Sequence, residues 1–201
     1  MRILFFITFL SWVAFCHGQT YDEYLEKGSV KLNLGDYDGA ISMYSEAIKL
    51  DPDNAMVYSL RGNARRIVGD YTGSITDFNK AIEIDPELAI AYFGRGCLKQ
   101  ELTDDYRGAI TDFDKALEID SVYLQAYVMR GAVKYLLDDY NGVLRDFQNA
   151  LEIDPEYAFV YYFRGRVKYE LDDLENACLD WRKASELGFT DAMDLIRGLC
   201  R

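Results

Sequence analysis

Five cations recur at near-constant spacing along the chain: Lys27, Arg61, Arg95, Arg130 and Arg164. Cations so spaced could form a ladder for the phosphates of a ligand. Four aspartates recur with them, Asp77, Asp112, Asp146 and Asp180. Where Met43 stands in place of the aspartate, Lys27 stands in place of the arginine. A matched change inside one chain assigns the two columns to each other, as ion pairs within helical hairpins. Arginine suits such a pair because its planar fork meets a carboxylate with two hydrogen bonds. A second basic column, Lys31, Arg65, Lys99, Lys134 and Lys168, is expected to serve the aspartates that close each repeat. Acid pairs at Asp104-Asp105, Asp138-Asp139 and Asp172-Asp173 raise calcium as a candidate. None has the alternating acids and final glutamate of an EF-hand loop, so turn and helix-cap duty is assigned to them and no metal is expected.

Other chemistries lack their residues. The one histidine, His17, lies in a segment expected to be removed. Ser-His-Asp catalysis, Cys-His catalysis and His-ligated metal sites then have no imidazole. Gly94-Arg95-Gly96 lacks the third glycine of a dinucleotide loop and reads as mid-helix. No GxxxxGK[ST] phosphate loop and no Asn-x-Ser/Thr sequon occurs. Lys and Arg total 22 against 34 Asp and Glu, a net charge of −12. Nucleic acid and anionic lipid both require a surplus of cations, so neither is an expected partner. No catalytic residues and no cofactor are assigned. Of 201 residues, 50% are hydrophobic and 28% charged, which is enough apolar material for a packed core.

Residues 1–18 read as a signal peptide. Arg2 supplies a short cationic start, and Ile3 to Phe15 is an uncharged apolar run of 13 residues. A membrane-spanning helix needs roughly 20, so the run matches a signal-peptide core better than an anchor. Cys16 and Gly18 are small residues at the two recognition places, which puts cleavage between Gly18 and Gln19. An uncleaved anchor and a lipid-attached Cys16 are the other readings, the second weakened by the bulky Phe15. Cleavage leaves 201 − 18 = 183 residues and, with Arg2 gone, a charge of −12 − 1 = −13. The protein is expected to be exported, periplasmic or secreted, with no membrane contact after cleavage.

The elements that must position these columns follow from a repeat. Gly28, Gly62, Gly96, Gly131 and Gly165 step by 34, 34, 35 and 34 residues. Ala47, Ala81, Ala116, Ala150 and Ala184 step by 34, 35, 34 and 34. One residue inserted in the third repeat explains both series, and the turn at 103–105 is its expected place. Tyr24, Tyr58, Tyr92, Tyr127 and Tyr161 precede the glycines by four; Tyr44, Phe78, Phe113, Phe147 and Trp181 precede the alanines by three. Apolar residues at Ala109, Ile110, Phe113, Ala116 and Leu117 have helical spacing, and Tyr92, Gly96 and Lys99 mark a second helix before them. GDY, DDY or DDL separates the two, as suits a left-handed turn ending a helix. Asp51-Pro52, Asp85-Pro86 and Asp154-Pro155 close repeats because proline excludes helix from the residue before it. Each repeat is a two-helix hairpin in which glycine and alanine permit close approach and an aromatic fills the groove beside them.

The pattern resembles the tetratricopeptide repeat (TPR). The aromatic, Gly, Ala, aromatic, Ala, Pro order recurs in register through repeats 21–54, 55–88, 89–123, 124–157 and 158–191. The expected fold is all-α: an α-solenoid of five tandem helix-turn-helix repeats within a domain spanning 19–201, with a short capping helix in 192–201. Departures are tyrosine for the usual tryptophan, Ser74 and Val143 for a small alanine, Asp120-Ser121 closing the third repeat, and Leu187-Gly188 where Asp-Pro would stand in the fifth. The resemblance implies a concave face lined by the first helix of each repeat, and a protein or peptide ligand lying along it. On that face Phe93, Val128, Tyr135, Phe159, Tyr162, Arg166 and Tyr169 form the expected partner-binding stripe. Asn63 and Arg66 alone resemble a carboxylate clamp, so a chaperone-tail clamp is not expected. The implied function is a non-catalytic exported scaffold for protein interaction, in a bacterial envelope setting. A self-associating structural module, filling the groove with its own kind, and a glycan-binding protein are the alternatives.

Cys178 lies ten residues before Gly188 and Cys200 twelve after it. A hairpin at Gly188 sets both roughly 15–18 Å from the turn. They are either a disulfide stapling the cap or two buried thiols. Cys97 stands outside that pair, expected half-buried and inert.

Overall fold

The computed structural model describes residues 21–103 and 105–200. The proposed signal peptide, its cleavage point, Asp104 and Arg201 lie outside the described residues. Eleven helices follow one another in tandem, with no strand among the described residues. They are α1 (21–33), α2 (Tyr37–Leu50), α3 (Ala55–Ile67), α4 (Tyr71–Ile84), α5 (Ala89–Thr103), α6 (Tyr106–Ile119), α7 (Leu124–Leu136), α8 (Tyr140–Ile153), α9 (Ala158–Glu170), α10 (Leu174–Glu186) and α11 (Ala192–Leu199). The fold is an all-α solenoid of helical hairpins. Chain contacts divide it into two compact units, Met1–Leu98 and Lys99–Arg201, with the boundary inside α5. The inserted residue of the third repeat is taken up at the end of α5, which runs 15 residues where α3, α7 and α9 run 13.

In the first unit α3 packs between α2 and α4. In the second, α7 packs on α6 and α8, α9 on α8 and α10, and α11 on α10. α8 therefore serves two first helices, its own and the next. The alanine column is 0% exposed from Ala47 to Ala184, which lets the helix backbones approach. The aromatics Tyr44, Phe78, Phe113, Phe147 and Trp181 are buried beside it. A Cβ built on Gly131 would lie 2.8 Å from the Phe147 ring, and one on Gly165 would lie 2.7 Å from Nε1 of Trp181. The ring occupies the space that a side chain at the glycine would need. Ser74, in an alanine position, is fully buried and donates its hydroxyl to the Gly62 carbonyl at 2.8 Å. That bond removes the penalty of a buried hydroxyl.

Both helix ends are built from the same few residues. Asp36, Asp70, Asp105 and Asp139 cap α2, α4, α6 and α8 by accepting from the N–H of Gly39, Gly73, Gly108 and Gly142. A Cβ on Gly108 or Gly142 would sit 2.0 Å from the capping carboxylate, so this second glycine column exists to admit the cap. Asp51, Asp85, Asp120 and Asp154 close the second helices and accept from the N–H two residues on. These are Asx turns, and they occupy the repeat-ending aspartates. α1, α3, α7 and α9 end in left-handed turns. Gly35 and Gly69 have φ of 76° and 82°; Asp138 and Asp172 hold 59° and 60° with a side chain. A left-handed conformation costs an L-residue about 1–2 kcal/mol relative to glycine. Asp172→Gly should therefore raise the stability of the protein by about 1 kcal/mol in urea denaturation, because glycine enters that conformation freely.

Candidate functional site

The charge columns of the sequence pair among themselves. Arg61, Arg130 and Arg164 each donate two bonds, through Nε and Nη2, to Asp77, Asp146 and Asp180 at 2.5–3.0 Å. These aspartates are 1–4% exposed. A third nitrogen of each arginine reaches back to the preceding second helix, at Ser45, Asp114 and Gln148. Arg95 does the same to Asn79 at 2.8 Å. Each guanidinium also lies over the tyrosine three residues before it, with centroid distances of 5.3–5.6 Å for Tyr58, Tyr92, Tyr127 and Tyr161. The arginine column thus ties one hairpin internally and to its neighbour.

The second basic column departs from expectation. Arg65, Lys99, Lys134 and Lys168 reach Asp77, Asp112, Asp146 and Asp180 at 2.7–2.9 Å, not the repeat-ending aspartates. The reason is physical: the repeat-ending aspartates sit in their own Asx turns, whereas a carboxylate this buried needs more than one cation to offset its desolvation. The first repeat lacks the buried aspartate. There Lys31 turns to the cap residue Asp36 instead. The Lys31 ammonium and the Gly39 N–H hold that carboxyl below the usual range.

Four residues of the expected stripe meet between α7 and α9. An apolar pocket of about 220 Å³ opens there in the second unit. Val128, Ala132 and Tyr135 of α7 form one wall. Phe159, Phe163 and Arg166 of α9 form the other. Phe147 and Val167 make its floor, so the pocket reaches down to the core aromatic of α8. Phe163 packs against Phe159 with tilted rings 4.4 Å apart and lies under the Arg166 guanidinium at 5.7 Å. Arg166 is exposed and makes no salt bridge with any described residue.

Four of the seven expected stripe residues meet here: Val128, Tyr135, Phe159 and Arg166. Three do not line the pocket. Phe93 is half-buried in the first unit. Tyr162 packs on Phe189 at 4.7 Å, in the cluster built on Trp181 and Ala192. Tyr169 leans on Trp181 at 5.9 Å. Ala132 lines the site with Val128 and Tyr135 of the same stripe, and Phe163 lines it without a place in the expected stripe. The spacing Phe159, Phe163, Arg166 is i, i+4, i+7 and marks the same helix face one residue round. Asn63 accepts from Arg66 at 3.3 Å, so the clamp-like pair of the first unit engages itself.

Residues 28–66 and 62–102 match the TPR repeat family. These residues carry tetratricopeptide repeats. Solved structures extend the likeness of fold over most of the chain. MamA is 25% identical with a TM-score of 0.71, covering 88% of this chain and 96% of MamA. YrrB, described as a TPR protein with an unusual peptide-binding site, is 20% identical with a TM-score of 0.68, covering 87% and 90%. PilF of Pseudomonas aeruginosa is 16% identical with a TM-score of 0.78, covering 86% and 78%. Against that TPR frame, Cys178 and Cys200 form a disulfide with Cα atoms 5.6 Å apart, and Cys97 is buried rather than half-buried. Among the described residues no helix is long and apolar enough to cross a membrane, and no cluster of three His, Cys, Asp or Glu could hold a metal ion.

The buried carboxylates should behave as three-body clusters. Arg130→Met leaves Asp146 with Lys134 alone and should destabilise by roughly 3 kcal/mol. Replacing all three, Arg130→Met, Lys134→Met and Asp146→Leu, should recover most of that loss in urea titrations. A double replacement of Arg130 and Asp146 should recover less, because it leaves Lys134 without its carboxylate.

Proposed function

We propose that this protein is a non-catalytic scaffold that binds an extended segment of another protein along α7 and α9. The pocket takes one bulky apolar side chain of that segment, and Arg166 takes an acidic group beside it. The observation that carries this reading is the pairing of an apolar pocket with a cation, Arg166, that no described carboxylate pairs. Its volume of about 220 Å³ suits one large side chain rather than a whole peptide. Desolvated aromatics and arginine are the residue types that dominate binding energy at such sites. Arg166 is held over Phe163, so its guanidinium is oriented before a ligand arrives. The description of YrrB as having a peptide-binding site supports a peptide ligand on a fold of this kind.

A displayed random-peptide library panned on the protein should return sequences with a bulky apolar residue next to an acid. Ala132→Phe fills the pocket and Arg166→Ala removes the cation. Each should weaken a selected peptide about ten-fold with helicity unchanged. Enrichment of basic peptides, or binding that neither substitution weakens, overturns the reading. Concentration-dependent sedimentation abolished by Ala132→Phe would give the groove to a second copy of the chain instead.

We also infer export, with the protein working in a periplasmic or secreted setting. The composition of residues 1–18 supports it, and the Cys178–Cys200 bridge suits an oxidising compartment. N-terminal sequencing of the exported product should begin at Gln19; a retained Met1 or an acylated Cys16 contradicts the cleavage.

A further inference from the structure

The turn after α10 differs from four earlier turns of the same kind. Gly188, with φ 91°, ends α10; its N–H bonds Ser185 and the next N–H, of Phe189, bonds Ala184 at 2.9 Å. This is a Schellman turn, whose second outside residue points back onto the helix. In four earlier turns that residue is the aspartate capping the next helix: Asp36, Asp70, Asp139 and Asp173. Here it is an aromatic. Phe189 packs on the cluster of Cys178, Trp181 and Ala192, and its ring meets Tyr162 at 4.7 Å and Phe159 at 6.3 Å. Phe159 is the pocket wall, 38% exposed, and its other ring contacts are Tyr157 and Phe163.

The helix that follows is held at both ends. α11 has eight residues, too few to be stable alone. Phe189 precedes it and Cys200, joined to Cys178 of α10, follows it. Leu195, Ile196 and Leu199 pack between those two anchors.

We propose that the disulfide-held cap sets the shape of the ligand pocket, with Phe189 as the positioning residue for Phe159, and that a dithiol reductant loosens the pocket by releasing the cap. This rests on the pocket being the ligand site. In the reductive step a thiolate of the reductant attacks the bridge, more readily at Cys200, the less buried of the pair. The Cys178–Cys200 bond breaks, and both cysteines end as thiols. Two electrons and two protons come from the reductant, whose own two thiols close to a disulfide. α11 then has only its short apolar face to hold it. Phe189 loses its fixed place, and the Phe159 ring gains rotamers that no longer wall the pocket.

The test reads the cap and the ligand separately. Methyl NMR of Val128, Ala132 and Val167 reports the pocket without any ligand, with Val57 of the first unit as reference. Reduction by dithiothreitol, the double variant Cys178→Ser/Cys200→Ser and the variant Phe189→Ala should each shift these methyl signals and leave Val57 in place. In the oxidised protein, 8-anilinonaphthalene-1-sulfonate, an apolar ring system with an anionic group, should bind. Its affinity should fall about three- to ten-fold on reduction and in Phe189→Ala. Pocket methyls unmoved when the bridge is opened overturn the proposal, as does an α11 whose amides stay protected from exchange after reduction. If the methyls move as expected but Ala132→Phe leaves dye binding unchanged, the coupling stands and the ligand site is elsewhere.

Discussion

A carboxylate buried between two helices must be met by charge, and that requirement organises the hairpins. Asp146 is 1% exposed and is held by the fork of Arg130 and the ammonium of Lys134. Asp77 and Asp180 repeat the arrangement. Leaving such a group unpaired costs several kcal/mol, so α3, α7 and α9 are each fixed in rotation and in height against the helix that follows. The same arginine reaches the preceding hairpin and covers the tyrosine three residues earlier. Stacking of one repeat on the next is therefore specified by the residue that specifies the hairpin itself. Apolar packing supplies most of the stabilisation; it does not by itself choose a register, and the charge cluster does.

Much of this was legible in the sequence, because each repeating contact leaves a repeating residue. Glycine opposite an aromatic, alanine at the closest helix approach, and Met43 changing together with Lys27 are all visible without coordinates. The second basic column was not assigned correctly. Lys134 is one turn from Arg130 on α7, and helical spacing alone offered two aspartates it could serve. Only the Asx turn at Asp154, which uses its carboxylate locally, removes one of them. The Asp-x-x-Gly column was open to view, at 36–39, 70–73, 105–108 and 139–142. Its meaning needs the cap geometry, in which the carboxylate lies where a Cβ would be.

The pocket was legible to within one residue around a helix. Side chains on a helix lean toward its N-terminus, so the surface a residue covers lies over the preceding turn. Phe159 and Phe163 consequently wall the space beside Arg166, while Tyr162 rotates onto the cap. What decided Tyr162 is a contact specific to the last repeat, the ring of Phe189, for which the other four repeats offer no precedent. The cysteines have the same character. Their similar distance from Gly188 was readable, and their approach to 5.6 Å depends on how α11 docks.

Columns that hold the fold repeat their residue type; the column that forms the pocket does not. One position of the first helix carries Ser29, Asn63, Cys97, Ala132 and Arg166 in turn. Two of these face the same space from α7 and α9. Ala132 is the smallest side chain of the five, and its size leaves the gap. Arg166 is the largest, and its guanidinium sets a charge at the gap's edge. A side chain as long as the neighbouring Tyr135 at position 132 would fill the space with apolar contact worth roughly 1.5–3 kcal/mol. Keeping alanine there forgoes that stabilisation beside a core packed elsewhere to 0% exposure at every alanine of the repeat column. Departure from close packing at one position, next to a cation that no described carboxylate pairs, sets this surface apart from the columns that hold the fold.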